Sequence, residues 1–325
     1  MIADSSETIP LPGASQREPA PAKINLFLHV VGRLESGHHN LDSLVAFTDV
    51  GDALAADPQD SADSETITLT VEGPFGAALA HEAGDENLVL KAARLLRMEA
   101  GGQRGARLRL LKRLPLASGI GGGSADAAAT LRALARLWGI DLPRRRFDDI
   151  ALMLGADVPA CFASQTARMG GIGERLTPMQ LPDAGVLLVN PGTPLSTARV
   201  FESFARLHEQ RAKPYRRALT MVPAFADVNV LAEWLDQATD NDLTEAAAQI
   251  EPAVAETLIA LSEVPEALCA RMSGSGATCF ALFTDAAAAS RGARWLSARR
   301  PQWWIAATAF VPALDQPLPG EVEPD

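Results

Sequence analysis

Cysteine is scarce. Cys161, Cys269 and Cys279 are odd in number and widely spaced, with no CxxC pair. This excludes a disulfide framework and a cysteine-built zinc site, and it reads as buried thiols in a reducing, cytoplasmic compartment. Positive charge is in deficit too. A net charge of -11 argues against nucleic acid or an anionic membrane as partner, so an anionic ligand needs a locally basic pocket. No apolar run is long enough to span a bilayer, and residues 1–20 lack the basic start and apolar core of a signal peptide. Internal repeats and long low-complexity tracts are also missing. His38 and His39 are adjacent, so on extended chain they face opposite ways, and no metal-binding cluster of side chains is expected.

What is present is an ordinary globular composition, 47% hydrophobic and 21% charged over 325 residues, long enough for two domains. The expected division is a disordered lead-in at 1–20, a first domain at 21–185, a second at 186–311 and a frayed tail at 312–325. The boundary falls where the buried strand 186–189 meets Asn190-Pro191-Gly192.

The densest signal runs from Arg107 to Gly139. An alternating strand at 107–111 meets Pro115, which lacks an N–H for a ladder. Four glycines then follow in Gly119-Ile120-Gly121-Gly122-Gly123. Ser124 opens an Ala/Leu-rich helix to Trp138 that Gly139 closes. A glycine loop feeding a helix start offers free N–H donors and the positive end of a helix dipole, an anion site. The P-loop lysine is missing after Lys112, and Ser124 stands where a dinucleotide fingerprint wants its third glycine. Three adjacent glycines exceed a turn's needs, which favours phosphate.

Elsewhere, period two over 21–30 puts Ile24, Leu26, Leu28 and Val30 on one face and Lys23, Asn25, Phe27 and His29 on the other. Spacing alone favours a solvated face for Lys23 and Asn25 over a site. Gly32–Gly37 reads as a hairpin turn, 41–50 as its second strand and 53–64 as a surface turn. Strands are expected at 66–71, 166–177 (a pair) and about 303–310, and 270–283 reads as a small-residue turn feeding an apolar strand. Helices are expected at 86–100, 141–154, 196–210, 227–238, 242–250, 252–262 and 285–299. Asp157, between Gly155 and Pro159, sits on a rigid turn; for a lone aspartate an Asx-turn is the favoured reading.

Three separated stretches, Pro21-Ala-Lys-Ile-Asn25, Pro115 through Gly-Gly-Gly-Ser124-Ala, and Ser273-Gly-Ser-Gly276-Ala277, together resemble the GHMP kinases. Gly37-His-His39, Asp85-Glu-Asn87-Leu88, Lys112-Arg-Leu-Pro115, Gly155-Ala-Asp157-Val-Pro159 and Asn241-Asp242-Leu243 narrow the resemblance to the branch whose alcohol carries a cytidine diphosphate group.

The resemblance, over roughly 21–311, implies an α+β, two-domain fold: an N-terminal ribosomal-protein-S5-like domain and a C-terminal ferredoxin-like one, with the active site in their cleft. It implies transfer of the ATP γ-phosphate to the 2-hydroxyl of a cytidyl-linked methylerythritol, in the non-mevalonate route to isoprenoid precursors, by a monomer or weak homodimer. Lys23 and Asp157 match the family's catalytic pair. Asn87, Lys112 and the loop Leu116, Ala117, Ser118, Gly119, Ile120, Gly121, Gly122, Gly123 and Ser124 match its ATP site. Magnesium comes with ATP, with Ser124 as a candidate contact. Asn25, His38, His39, Asp157 and Phe201 match positions around the acceptor, His38 standing where the family has an aromatic. Open alternatives are a relative acting on a mevalonate-type alcohol or homoserine, and an inactive nucleotide-binding relative.

Overall fold

The computed structural model describes residues 2–3, 13–59, 65–82, 87–102, 104–311 and 318–320. After the two-residue β1 (Ile2–Ala3), β2 (Gln16–Arg33) and β3 (His39–Pro58) form a long antiparallel hairpin. Then come β4 (Ile67–Glu72), α1 (Gly76–Glu82), α2 (Leu88–Glu99), β5 (Ala106–Leu111), α3 (Gly122–Trp138), α4 (Arg144–Leu154), α5 (Val158–Ala163), β6 (Ala167–Gly171) and β7 (Arg175–Pro178). The chain continues through β8 (Gly185–Asn190), α6 (Thr197–Arg211), α7 (Val228–Ala238), α8 (Thr244–Ile250) and α9 (Ala253–Ser262). It ends with β9 (Cys269–Met272), β10 (Cys279–Phe283), α10 (Ala286–Ser297) and β11 (Trp304–Ala309).

In the first sheet β3 is the spine. One edge carries β2 along almost its whole length; the other carries β6 on the first part of β3 and β5 on the last part. The second sheet has the order β1-β11-β8-β10-β9. Between the sheets, Ile24, Leu26 and Phe27 pack in one cluster with Val186, Leu188, Phe280 and Trp304. The other core of the first sheet is built on α3, whose residues 125–135 are all buried. Alanine suits that position: it favours helix and lets neighbouring elements come close.

Several elements depart from the sequence expectation. Residues 53–58, expected in a turn, continue β3, and Ala53–Ala56 are at most 1% exposed. They pair with β2 and β5 at once, and this packing outweighs alanine's weak strand preference. Strand β2 starts at Gln16 rather than Pro21 and buries Glu18 against Arg132, so the end of the expected lead-in is ordered. Residues 4–12 lie outside the described residues, as do 60–64, 312–317 and 321–325. Leu318, placed in the expected tail, is buried. The solvated face for Lys23 and Asn25 is overturned: they are 2% and 1% exposed. Both faces of β2 are covered, one by α3 and the glycine loop and the other by the second sheet. Helices α1 and α5 were not anticipated; both are too short to show a clear helical period.

His29 joins β2 to the second half of the chain. Its Nε2 accepts from the Asp240 backbone N–H at 3.2 Å and lies 3.1 Å from an Arg216 guanidinium nitrogen. Burial, then Arg216, lowers its pKa from 6.5 to about 4. A protonated ring cannot accept these bonds. The unfolded chain therefore takes up the proton first, so this contribution is complete above pH 6.5 and fades as pH falls towards about 4. The melting temperature should drop across that window, and the drop should be shallower in His29→Gln. Equal slopes in thermal melts of the two proteins would refute the assignment.

Candidate active site

A cavity of about 560 Å³ opens where the glycine loop, the middle of β2, the N-terminus of α5 and the 273–276 turn meet. Each wall has a local cause. Gly121 takes a left-handed conformation as N-cap of α3, so Gly122 and Gly123 form the helix's first turn, two residues earlier than expected from Ser124. The first-turn N–H groups have no acceptor within the helix. Gly119 has φ 75°, and a Cβ there would lie 2.6 Å from the carbonyl oxygens of both Ser273 and Gly276.

The loop is pinned from outside. The Ser273 hydroxyl donates to Gly119 O at 3.0 Å, the Leu195 N–H to Ala117 O at 3.1 Å and the Thr278 N–H to Ser118 O at 3.0 Å. Asn241 donates to the carbonyls of Met272 and Gly274, both at 2.8 Å, and so fixes the opposing turn.

Across this loop lie the lysine and aspartate the sequence nominates. Lys23 Nζ is 2.7 Å from Asp157 Oδ1 and 3.3 Å from Asn25 Oδ1. Asp157 is the N-cap of α5 but its side chain makes no capping bond, so the Asx-turn reading gives way to the ion pair. The Lys23 side chain is 3% exposed and that of Asp157 is 42%, so the carboxylate is the more accessible member of the pair. Asn25 is held by donation from its Nδ2 to the Ser43 hydroxyl at 2.8 Å.

Lys112 is buried beneath the loop, with Nζ 2.6 Å from both Asp52 Oδ2 and Asp126 Oδ2. Burial works against its charge, but Asp126 and Asp52 outweigh it and hold its pKa above the usual lysine range. Asp52 Oδ1 also accepts from the backbone N–H groups of Arg113 and Leu114, whereas Asp126 Oδ1 has no partner. Two carboxylates share one ammonium. Burial therefore raises the pKa of the less well satisfied Asp126 well above normal, and Lys112 only partly offsets this.

Of the expected loop contacts, Leu116 to Gly119 and Gly121 to Ser124 line the cavity, as does Asn87, whose Oδ1 caps α2 through the Val89 N–H at 2.8 Å. Ile120 does not: its side chain is in the intersheet core, and its carbonyl accepts from the Lys23 N–H at 3.0 Å. Phe201 lines the cavity. His39 does not itself line the cavity but stacks on Phe201 with centroids 5.1 Å apart. His38 is exposed on the hairpin turn beside Ser36 and is not brought to the cavity. Cys161, beside Lys23, has its thiol pushed up to about 12 by burial.

Sequence reasoning missed Asp52, Asp126 and Thr197, whose hydroxyl meets that of Ser275 at 2.8 Å, and it named Ser273 within a matching stretch without giving it a role. Asp126 carried a signal, since an aspartate inside an alanine-rich apolar helix calls for a buried partner. Asp52 carried none, being a lone acid between the strand expected at 41–50 and the turn expected at 53–64. Among the described residues no group of three or more His, Cys, Asp or Glu could hold a metal ion, and no helix is long and apolar enough to cross a membrane.

Fold and site define a GHMP kinase: the GHMP kinases N terminal domain model matches residues 87–165 and the GHMP kinases C terminal model matches residues 221–300. A protein of Paramagnetospirillum magneticum named 4-diphosphocytidyl-2-C-methyl-D-erythritol kinase is 48% identical over 288 residues, 88% of this chain and 95% of that protein. A crystal structure of 4-(cytidine 5'-diphospho)-2C-methyl-D-erythritol kinase superposes with a TM-score of 0.71 at 31% identity, covering 90% of this chain and 98% of the other. Mevalonate kinase of L. major, at 17% identity, TM-score 0.66 and coverage of 93% and 98%, shares the fold alone. The chain belongs to the 4-diphosphocytidyl-2-C-methyl-D-erythritol kinase family and is a phosphotransferase.

Gly119→Ala should lose about 1–3 kcal/mol from its left-handed backbone alone, and more from the clash. It should weaken ATP binding along with stability. Urea unfolding and calorimetric titration with ATP read the two effects, and wild-type values for both would refute the loop's rigid seat.

Proposed function

We propose that this protein transfers the γ-phosphoryl group of ATP to the 2-hydroxyl of 4-diphosphocytidyl-2-C-methyl-D-erythritol, with Lys23 and Asp157 as the reacting pair. One observation carries the residue assignment: the 2.7 Å contact of these side chains in the cavity that the glycine loop borders.

An aspartate reaching the acceptor hydroxyl can take its proton as the oxygen attacks. Lys23, buried against it, offsets charge developing on the transferred group. Phosphoryl transfer has a loose transition state, so most of the acceleration comes from position and electrostatics. The loop N–H groups of 121–124 would seat the phosphates, and Asn87 and Lys112 would border the adenosine. Asn25, His39 and Phe201 would contact the acceptor, with Phe201 as the ring available to stack on cytosine. Ser124 is the side-chain oxygen suited to touch a magnesium ion carried by the nucleotide, whose role is to neutralise phosphate charge. Because one chain supplies the loop and the pair, a monomer or weak homodimer in the cytoplasm suffices. The domain boundary falls near residue 186.

Purified protein with ATP, magnesium and the cytidyl substrate should release ADP in a coupled assay. Silence there, with turnover of mevalonate or homoserine, would overturn the acceptor. Asp157→Asn should cut kcat by about 10²–10⁴-fold, the range of a positioned base, while ATP binding stays near wild type. Unchanged turnover would remove Asp157 as the base.

A further inference from the structure

Arg132 lies on α3, ten residues beyond the start of that helix, and heads the buried side chains by size. It is fully buried, an expensive place for a cation unless its donors are used. Four hydrogen bonds use them. Nε donates to Glu18 Oε2 at 2.8 Å, and one terminal nitrogen to Pro19 O at 2.7 Å. The other donates to Cys161 O at 3.0 Å and Phe162 O at 3.3 Å. Burial lowers its pKa to about 10, so it remains charged at neutral pH.

These acceptors lie on the segments that carry the reacting pair. Pro19 is four residues before Lys23 on β2. Cys161 is one helical turn after Asp157, and its N–H donates to Asp157 O at 3.1 Å. The carbonyls of Cys161 and Phe162 belong to the last turn of α5, where backbone acceptors are left over and a cation is favoured. The guanidinium's own helix, α3, starts in the glycine loop. One planar group thus ties together the strand of Lys23, the helix of Asp157 and the helix of the loop. An apolar side chain could fill the volume but could not fix two backbones in register.

We infer that Arg132 is a positioning residue for phosphoryl transfer, setting the separation of Lys23 and Asp157 and their placement relative to the loop. The inference rests on the reading of those two residues as the reacting pair. Arg132 is fully buried and does not line the cavity, so it acts on the step through the pair.

Arg132→Lys keeps the charge, but a compact ammonium cannot bridge both segments as the planar fork does. Its ATP affinity should stay within about threefold of wild type and its kcat should fall about 10–100-fold, the scale of a misplacement near 1 Å. The deciding readout is the cycle with Asp157→Asn. Acting through the pair, Arg132→Lys should cost less than about twofold further in the Asp157→Asn protein; acting only on the fold, it should cost the same factor in both backgrounds. Equal losses, or an unchanged kcat in the single variant, overturn the inference. Wild-type turnover by Asp157→Asn alone would instead sink the reading of the pair and this inference with it. Should Arg132→Lys fail to fold, Glu18→Gln takes its place: the guanidinium keeps its three carbonyl bonds, and a smaller loss of kcat that vanishes in the Asp157→Asn background is expected. A loss of equal size in both backgrounds overturns the inference.

Discussion

A lysine ammonium taken out of water needs a compensating charge, and at Lys23 that need organises the molecule. Leaving it unpaired costs several kcal/mol, so the fold must bring a carboxylate to the middle of β2. The partner, Asp157, is 134 residues away in sequence. Strand β2 is covered on both faces, which desolvates the lysine, and α5 begins where its N-cap residue can reach across. The half-exposed carboxylate and buried ammonium then face the same cavity as the glycine loop.

Charge is handled by the same rule beneath that loop. In a protein of net charge -11, an anion site requires local positive potential that the rest of the chain does not supply. The start of α3 provides it through backbone donors, which cost no buried charge. Lys112 adds a cation that Asp52 and Asp126 hold in place. Two acids around one base leave a surplus of negative charge, and Asp126, with one oxygen unmatched, bears the cost of burial. The second sheet contributes rigidity: Ser273 and Asn241 hydrogen-bond the backbones of the loop and of the opposing turn, so the loop is held from both halves of the chain.

Much of this was legible beforehand because it follows from local physics. The glycine run, its helix and Gly139 as the stop were readable from backbone freedom and helix periodicity, and most other elements fell within a few residues of expectation. The exceptions share a cause. Ala53–Ala56 looked like a turn because alanine has no strand preference of its own; two neighbouring strands impose one. Lys23 and Asn25 looked solvated because alternation describes one covered face, and β2 has two. His38 matched a family position in sequence, but the hairpin turns its ring outward, while His39 carries the stacking contact with Phe201.

By itself the sequence indicated most of the elements, the glycine loop and a candidate lysine and aspartate, since each depends on residues adjacent in the chain or on matches to a known pattern. It could not determine which polar side chains would be buried together. Lys112 with Asp52 and Asp126, and Arg132 with Glu18 and two distant backbones, are contacts across 14 to 114 residues. No local periodicity encodes such pairings. They form because the closed fold removes water from those groups and leaves each only the partners that packing brings within reach.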